Sequence, residues 1–221
     1  MNNTPKCQEL FALEPLLFKN IFGEFEYPWE VIPHIQSIIE RLIEDGLEGY
    51  ELLAKGILVG RNVTISGGAH IEAPAIISHN CEIRHGALLR GCVILGDGCT
   101  VGNSSEIKNS ILMAGAQAPH FNYVGDSILG KKAHLGAGAI CSNLRSDGKA
   151  VSIRSGDTTI DTGLRKLGAI LGDGVEIGCG SVLCPGTIIG KNTAVYPLTV
   201  TRGTYPENSI VKDTYTVTPK H

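Results

Sequence analysis

A six-residue spacing of aliphatic side chains is the feature that most limits how this chain can fold. Every sixth position from Val59 onward carries a large aliphatic residue: Val59, Ile65, Ile71, Ile77, Ile83, Leu89, Leu95, Val101 and Ile107. A smaller or β-branched residue lies two positions before each of them. Neither an α-helix nor a plain alternating strand has a period of six. A parallel β-helix has it, because each hexad supplies one short strand and one turn, and stacked coils bury a continuous core.

The pattern, with its pairs Val59-Gly60, Leu95-Gly96 and Val101-Gly102, resembles the hexapeptide-repeat acyltransferases. That resemblance implies three hexads per coil, or about 18 residues, and a left-handed winding. The handedness comes from the resemblance alone, because parallel crossovers are ordinarily right-handed. We therefore expect an all-β fold, a left-handed parallel β-helix of hexapeptide repeats with a short N-terminal helical segment.

The composition of the whole chain agrees with a glycine-rich repeat. Glycine makes up 28 of 221 residues, whereas the average is about 7%. The net charge of -3 gives no reason to expect nucleic acid or an anionic membrane as a partner. We find no signal peptide and no apolar run of about 18 residues, so we expect a cytoplasmic protein. Three of the seven cysteines, Cys81, Cys99 and Cys141, fall on inward positions, which favours buried, reduced thiols.

Three segments follow from where the hexad pattern begins and ends. Residues 1–55 lack it and contain a helical spacing of apolar residues over 28–44, which predicts an N-terminal helical cap over the first coil. A docking surface for another protein is the alternative for this segment. Residues 56–200 form the predicted β-helix, and 201–221 form a C-terminal tail.

Two interruptions of the pattern lie inside the β-helix. The interval from Ile107 to Leu129 is not a multiple of six, so we expect an extruded loop at residues 114–123. Residues 143–166 lose the pattern as well and predict a second excursion or hairpin. The aliphatic positions then return from Leu171 to Val195.

Two cations predict an anion site on one face of the prism. Arg90 and Lys108 lie one predicted coil apart, and each follows an inward aliphatic residue, so they should stack about 4.8 Å apart. Like charges at that distance destabilise a sheet. The compensating charge is either Glu72, one predicted coil before Arg90, or a phosphate held by both cations.

His120 lies in the segment expected to be extruded, one coil beyond the two cations. A single loop histidine is commonly just solvated or hydrogen-bonded locally. A neutral imidazole beside a phosphate site could instead remove a proton from a nucleophile.

The run His120-Phe-Asn-Tyr-Val-Gly-Asp, followed by Leu135-Gly-Ala-Gly and Asn143, resembles a more specific family. This is the acetyltransferase domain of the bifunctional N-acetylglucosamine-1-phosphate uridyltransferase/glucosamine-1-phosphate acetyltransferases. The resemblance covers about residues 56–200, and the run from Arg165 to Asp173 is closer to archaeal-type members. It implies these roles: catalytic His120 and Asn143; substrate-binding Arg90, Lys108, Tyr123, His134 and Lys149; cofactor-binding Arg165, Lys166 and Ala169; no metal ligand.

The chain departs from this family in two respects. His134 stands where the family usually has a substrate-contacting asparagine. Nothing before residue 56 resembles the glycine-rich loop of the nucleotidyltransferase domain, although residues 26–30 resemble that domain's last segment. We therefore expect uridylyl transfer to be lacking.

The resemblance implies a homotrimeric, acetyl-CoA-dependent N-acetyltransferase that acts on glucosamine 1-phosphate or a close amino-sugar phosphate and needs no metal. One alternative is a catalytically idle trimeric module that partners a separate nucleotidyltransferase. Another is a zinc enzyme similar to the γ-carbonic anhydrases, which would need three converging histidines drawn from residues such as His79, His85 and His120.

Overall fold

Three β-sheets form the faces of a prism, and the chain crosses from one sheet to the next at every corner. Their strands are parallel except for the first strand of one sheet and the last strand of another. The computed structural model describes residues 4–13 and 16–220. The architecture is a left-handed parallel β-helix, which confirms the expected fold class.

We name the three sheets face A, face B and face C. The strands of face A are Glu51–Ala54, Ile57–Val59, Ala75–Ile77, Val93–Leu95, Ser110–Leu112, Ile128–Leu129, Ala169–Leu171, Thr187–Ile189 and Thr204–Tyr205. The strands of face B are Thr64–Ile65, Glu82–Ile83, Thr100–Asn103, Gln117–His120, His134–Leu135, Glu176–Ile177, Ala194–Val195, Ser209–Val211 and Val217–Pro219. The strands of face C are His70–Glu72, Leu88–Arg90, Glu106–Lys108, Tyr123–Gly125, Ile140–Cys141, Val182–Leu183 and Val200–Thr201.

The predicted sixth positions fill the inside of the prism. The side chains with no solvent exposure there include Ile77, Ile83, Leu89, Leu95, Val101 and Ile107. The first coils have the expected length, because Ile57 pairs with Ala75 and Ala75 with Val93. Stacking these aliphatic side chains removes them from water, which is the main force that holds such coils together.

The loop predicted at residues 114–123 is wrong, because the coils become shorter instead. Residues in this segment form parts of strands on faces B and C. In the coils above, Val93 pairs with Ser110 and Ile111 pairs with Ile128, so each of these coils is one residue shorter than the first ones. Both shortenings fall at the corner between faces C and A.

That corner explains how a residue is lost without disturbing the strands. The pair Gly91 and Cys92, both with positive φ, turns the corner in the earlier coil. In the next two coils this corner contains one residue with positive φ instead of two. That residue is Asn109 in the first of these coils and Asp126 in the second. The inward spacing therefore drops from six to five at this corner, and the core pattern resumes at once on face A.

The predicted second excursion over 143–166 is confirmed. It contains the antiparallel hairpin formed by Ser152–Ser155 and Thr158–Asp161. The chain leaves the prism after face C and returns on face A, where Ile170 pairs with Ile128.

The N-terminal segment contains helices at Cys7–Leu10, Leu16–Phe22 and Ile35–Asp45, with a 3-10 helix at Pro28–His34. The helix predicted over 28–44 is therefore confirmed, with its first part as a 3-10 helix.

These helices cover face A rather than the first coil, so the predicted cap is wrong. The outward residues of the face A strands form one buried cluster with the helices and with hairpin residues such as Ile153: Leu58, Ile76, Ile94, Ile111, Ile128, Ile170 and Ile188. The helices contribute buried residues such as Phe18, Phe22 and Ile39. Ile65 of the first coil remains 37% exposed.

Asp173 ties the N-terminal segment to a late coil. Its carboxylate accepts hydrogen bonds from the backbone N–H of Ala12 at 2.6 Å and of Lys131 at 2.7 Å. Its own N–H donates to the carbonyl of Leu10 at 3.0 Å. One side chain thus links the N-terminal segment with two coils of the prism.

The parallel pairing continues beyond residue 200, where the sequence predicted a tail. Tyr205 pairs with Ile189 on face A, and Val211 pairs with Val195 on face B. The last strand, Val217–Pro219, runs antiparallel to its neighbour. Residues 204–211 therefore extend the prism.

Cys81, Cys99 and Cys141 are buried as predicted, and each cysteine in the described part of the chain is a free thiol. Within residues 4–13 and 16–220, no helix combines the length and the apolar character needed to cross a membrane.

Candidate active site

Arg90 and Lys108 lie on neighbouring strands of face C, as their spacing predicted, but each has a carboxylate partner. Arg90 Nη1 lies 2.6 Å from Glu106 Oε1. Lys108 Nζ lies 3.6 Å from Asp126 Oδ2. Glu72, which the sequence suggested as the partner of Arg90, instead lies 3.7 Å from His70. The cations are therefore compensated within the protein, by residues other than the predicted one.

Asp126 is the centre of a buried polar network that the sequence pattern did not reveal. Its side chain is 6% exposed. Oδ1 accepts a hydrogen bond from Asn109 Nδ2 at 2.8 Å, and Oδ2 accepts one from Asn143 Nδ2. With Lys108 nearby, the carboxylate is both hydrogen-bonded and charge-paired, which is how a buried charge is tolerated.

The shortened corner is what builds this network. Asn109 and Asp126 each turn the corner alone, and Asn143 follows face C in the coil after them. Because these coils have each lost the same single residue, the three side chains stack directly above one another. They would not align with the longer period of the first coils.

His120 ends a face B strand and is exposed, so it is not in an extruded loop. The turn after it depends on Phe121, which has a φ of 53°, and on Asn122, which is 2% exposed. Asn122 Oδ1 accepts the His120 N–H at 3.0 Å, while Nδ2 donates to the carbonyl of Gly136 at 2.8 Å. The buried amide fixes the turn, and the imidazole of His120 has no hydrogen-bond partner among the described residues.

Tyr123 lies between the two cationic side chains, Arg90 and Lys108, and Asn143. Its strand pairs with that of Glu106, and its hydroxyl accepts a hydrogen bond from Asn143 Nδ2 at 3.2 Å. Burial raises the pKa of Tyr123, and the nearby Glu106 carboxylate raises it further. Tyr123 is therefore a neutral hydrogen-bonding group near neutral pH.

Asn143 is 9% exposed, and its Nδ2 is used by Asp126 and Tyr123. Its Oδ1 accepts no hydrogen bond from a described residue, so it is available to a bound donor. The structure thus brings Arg90, Lys108, Tyr123 and Asn143 together on face C, with His120 just before the turn that leads to it.

His134 lies apart from His120. It pairs with Gln117 across face B, three residues before His120, so the two histidines are offset by about 10 Å along the strand direction. Its Nδ1 lies 3.0 Å from Glu176 Oε2. The structure therefore places His134 with a glutamate partner on face B, away from the cations.

Arg165 and Lys166 are exposed and line a cleft together with Asn109 and Asp126. Arg165 and Lys166 therefore lie beside the buried polar network around Asp126. Lys149 is exposed in the loop before the hairpin, and its backbone N–H donates to Asp147 at 3.2 Å.

Ala169 is buried in the core of the prism with no solvent exposure, and its N–H donates to Ser127 Oγ at 3.0 Å. The cofactor contact that the resemblance implied for Ala169 stays a prediction, although the residue has no surface open to solvent in this arrangement.

No three histidine, cysteine, aspartate or glutamate side chains within the described ranges converge as a bound metal ion requires. His79 Nδ1 accepts the backbone N–H of Arg61 at 2.8 Å, and His85 Nδ1 lies 2.7 Å from the carbonyl of Gly67. The trio needed for a zinc enzyme does not form from these residues.

Comparison with known proteins identifies the family. The model of the GMPPB C-terminal domain family matches residues 71–210. A bifunctional sugar-1-phosphate nucleotidylyltransferase/acetyltransferase from Sulfurisphaera tokodaii is 34% identical over 174 residues, which cover 77% of this chain and 43% of that protein. The bifunctional protein GlmU of Methanococcus maripaludis strain C5 is 31% identical over 202 residues, covering 86% and 47%.

Among solved structures, PerB from Caulobacter crescentus in complex with CoA and GDP-perosamine is 21% identical, with a TM-score of 0.37. The match covers 56% of this chain and 49% of PerB. A TM-score this low adds nothing about the site.

The chain spans about half the length of the curated relatives it matches. The resemblance found in the sequence, to the acetyltransferase region of these bifunctional proteins, is confirmed over most of the chain. The chain belongs to the GMPPB C-terminal domain family, and it is related to the sugar-1-phosphate nucleotidylyltransferase/acetyltransferases.

Proposed function

We propose that this chain is an N-acetyltransferase that moves the acetyl group of acetyl-CoA to the amine of glucosamine 1-phosphate or a close amino-sugar phosphate. The observation that carries the proposal is the exposed imidazole of His120, which has no partner among the described residues and stands at the edge of a site with two cations. The kinship with bifunctional nucleotidylyltransferase/acetyltransferases supports the reaction class.

Arg90 and Lys108 would bind the sugar phosphate. A phosphate dianion would compete with Glu106 and Asp126 for these cations, and guanidinium and ammonium groups bind phosphate through charge-assisted hydrogen bonds. Glu106 is the easier one to displace, because its side chain is 28% exposed whereas that of Asp126 is 6% exposed. Tyr123 would contact the sugar as a neutral donor.

His120 would act as the general base. As the amine attacks the thioester carbonyl, the new C–N bond forms and the neutral imidazole takes the proton from the amine. The C–S bond then breaks, and CoA leaves as a thiolate that accepts a proton. The free Oδ1 of Asn143 would accept a hydrogen bond from the attacking amine and so orient its lone pair.

The acyl donor would approach along the later coils, with Arg165 and Lys166 as candidate contacts for its phosphates and Lys149 as a further substrate contact. We propose that the reaction needs no metal, because the base and the phosphate-binding cations are supplied by the protein. We further propose that the protein acts as a homotrimer.

One observation favours the alternative function, a catalytically idle trimeric module that partners a nucleotidyltransferase. Arg90 and Lys108 already have carboxylate partners within the protein. The test is incubation of the purified chain with acetyl-CoA and a panel of amino-sugar 1-phosphates, with release of the CoA thiol followed over time. We expect thiol release with glucosamine 1-phosphate or a close analogue. A folded protein that releases no thiol with any amino-sugar phosphate would favour the module.

A further inference from the structure

A second polar cleft lies between the excursion and the last coils of the prism. It has a volume of about 410 Å³. The loop before the hairpin, the hairpin itself and the corner between faces C and A in the last coils line it, and its charged side chains are Arg145, Asp147, Arg154 and Arg202.

Two glycines allow the hairpin to lie directly against the prism. Gly203 has a φ of +89°, and a Cβ there would lie 3.2 Å from the carbonyl oxygen of Arg154. Gly186 has a φ of +77°, and a Cβ there would lie 2.8 Å from Val151 Cγ1. Larger residues would push the hairpin away, so the glycines hold Arg154 close to Arg202, the neighbour of Gly203.

The charges in this cleft are not balanced. Arg145 is neutralised by Asp147, which accepts hydrogen bonds from Nε at 2.9 Å and from Nη2 at 2.6 Å. That contact holds the pKa of Asp147 well below its usual range. Arg154 and Arg202 have no carboxylate partner among the described residues. Two like charges brought together by the fold therefore lack a counter-charge, in contrast to Arg90 and Lys108.

We propose that this cleft binds a phosphate-bearing ligand between Arg154 and Arg202. Two guanidinium groups offer planar pairs of N–H donors, which match phosphate oxygens. The hydroxyl-bearing residues Ser142 and Ser152 also line the cleft and can donate to such a ligand.

The ligand has two sources with the same chemistry. It is either the phosphate groups of the acyl donor, or a separate phosphorylated molecule that binds independently of acyl transfer. Phosphate binding in this cleft does not rest on the proposed function, so a protein without acetyltransferase activity would still be expected to show it.

The first experiment measures the binding of pyrophosphate by titration calorimetry. We expect wild-type protein to bind it, and Arg154→Gln and Arg202→Gln each to weaken binding at least about tenfold, the loss expected for a charge-assisted hydrogen bond. Arg61→Gln removes another exposed arginine, in the first coil, and should leave binding unchanged. Pyrophosphate binding that is absent in wild type, or unaffected by both cleft variants, would overturn the proposal.

The second experiment uses the wild-type protein and therefore does not depend on folding of a variant. Cys184 Sγ lies 3.9 Å from Arg202 Nη2 and is partly exposed, whereas Cys179 is exposed and outside the lining of the cleft. Pyrophosphate should slow alkylation of Cys184 but not of Cys179, as measured by mass spectrometry of the labelled peptides. Equal rates for Cys184 with and without pyrophosphate would contradict the proposal.

Acyl-donor kinetics distinguish the two sources. If the cleft holds the donor's phosphates, the double variant Arg154→Gln/Arg202→Gln should raise the KM for acetyl-CoA but not for acetyl-pantetheine, which has no phosphate. If the ligand is a separate molecule, both KM values should stay constant while pyrophosphate binding is lost.

Discussion

Lys108 Nζ lies 3.6 Å from the Oδ2 atom of Asp126, and the lysine side chain is 22% exposed whereas the aspartate side chain is 6% exposed. Lys108 is thus both a candidate ligand for substrate phosphate and the counter-charge of a buried carboxylate. Substituting it changes stability and binding together, and the two effects can be separated only with a second variant.

We predict that Lys108→Ala lowers the free energy of unfolding by about 1 to 3 kcal/mol, because buried Asp126 keeps its hydrogen bonds to Asn109 and Asn143 but loses its counter-charge. The sequence alone placed Lys108 on the surface, where a substitution typically costs within about 0.5 kcal/mol. Urea unfolding measures the difference. Lys108→Ala should also weaken the use of sugar phosphate.

The double variant Lys108→Ala/Asp126→Asn separates these effects. Removing both charges should restore part of the stability, because no buried charge is left without a counter-charge, while the new amide NH2 would face the amide donor of either Asn109 or Asn143. It should not restore binding of the sugar phosphate. Recovery of both properties in the double variant would show that Lys108 has no role in phosphate binding.

We predict that His120→Ala reduces kcat by about 10² to 10⁴, the usual contribution of a general base. Stability should change little, because the imidazole has no partner in the described structure and the fixed turn uses the backbone of residue 120. A general base makes the wild-type rate depend on pH. Steady-state kinetics over a range of pH measure both effects.

His134→Asn is the matched control for His120, since it changes the other histidine of the same face. With about 10 Å between the two along the strand direction, we expect this variant to keep both the rate and the shape of the pH profile. If His134→Ala alone abolishes the pH dependence while His120→Ala stays active, the base is His134.

We predict that Ile39→Ala and Ile94→Ala each destabilise the protein by about 2 to 5 kcal/mol, as expected for truncating a buried aliphatic side chain. Both residues have no solvent exposure and belong to the cluster between the N-terminal helices and face A. Ile65→Ala, at a residue of the first coil that is 37% exposed, should cost less. Equal costs at all three positions would argue against the packing of the helices on face A.

We predict that Cys141 makes the protein less stable at alkaline pH. Burial raises the pKa of Cys141 from its ordinary value of 9.0 to about 12. The stabilising effect of the protonated buried thiol is fully present below pH 9, because neither state ionises there. It is lost between about pH 9 and 12, where the unfolded state releases the proton and the folded state does not.

The measurement is the difference in free energy of unfolding between wild type and Cys141→Ala at several pH values. Above pH 9 this difference should shift in favour of the variant by up to about 1.4 kcal/mol per pH unit. Cys179→Ala, which changes an exposed thiol, should give a constant difference. A constant difference for Cys141→Ala as well would contradict the prediction.

We predict self-association, with light scattering giving about three times the chain mass of 23.5 kDa. Apolar side chains are exposed near the corner between faces B and C of the later coils: Ile140, Tyr196, Leu198 and Val200. Leu198 is 82% exposed, and apolar surface of this kind marks a contact with another molecule. A monomer that transfers acetyl groups at full rate would rule out a site shared between subunits.

The inward positions of the core could be predicted because a hexad relates sequence directly to the inside of the prism. The shortened corners could not be predicted. The loss of one residue at a corner leaves the strand pattern intact on both sides, and in the sequence it cannot be distinguished from an inserted loop. The polar residues did contain a signal for the shortened coils. Asn109, Asp126 and Asn143 recur at one constant interval, which is one residue shorter than three hexads. That spacing marks the column from which the buried network is built.

The partners of the cations were missed for a related reason. Glu72, one of the two compensating charges considered, lies on the strand before that of Arg90, whereas the partner Glu106 lies on the strand after it, two residues before Lys108. Residues 106 and 108 flank an inward aliphatic and therefore share the outer surface. The position of the helices also had a sequence signal, since the apolar Leu58, Ile76 and Ile94 recur once every three hexads.

The hydrogen bond from Ala12 to Asp173 joins residues that are 161 positions apart. Coils in a repeat protein ordinarily contact only their immediate neighbours, so each end can come apart without the rest. Here the N-terminal helices, the hairpin and the outward residues from Leu58 to Ile188 form one buried cluster that runs along face A from early coils to late ones. We therefore expect the prism to unfold in one cooperative step, and the loss of any single face A contact to weaken the whole array of coils.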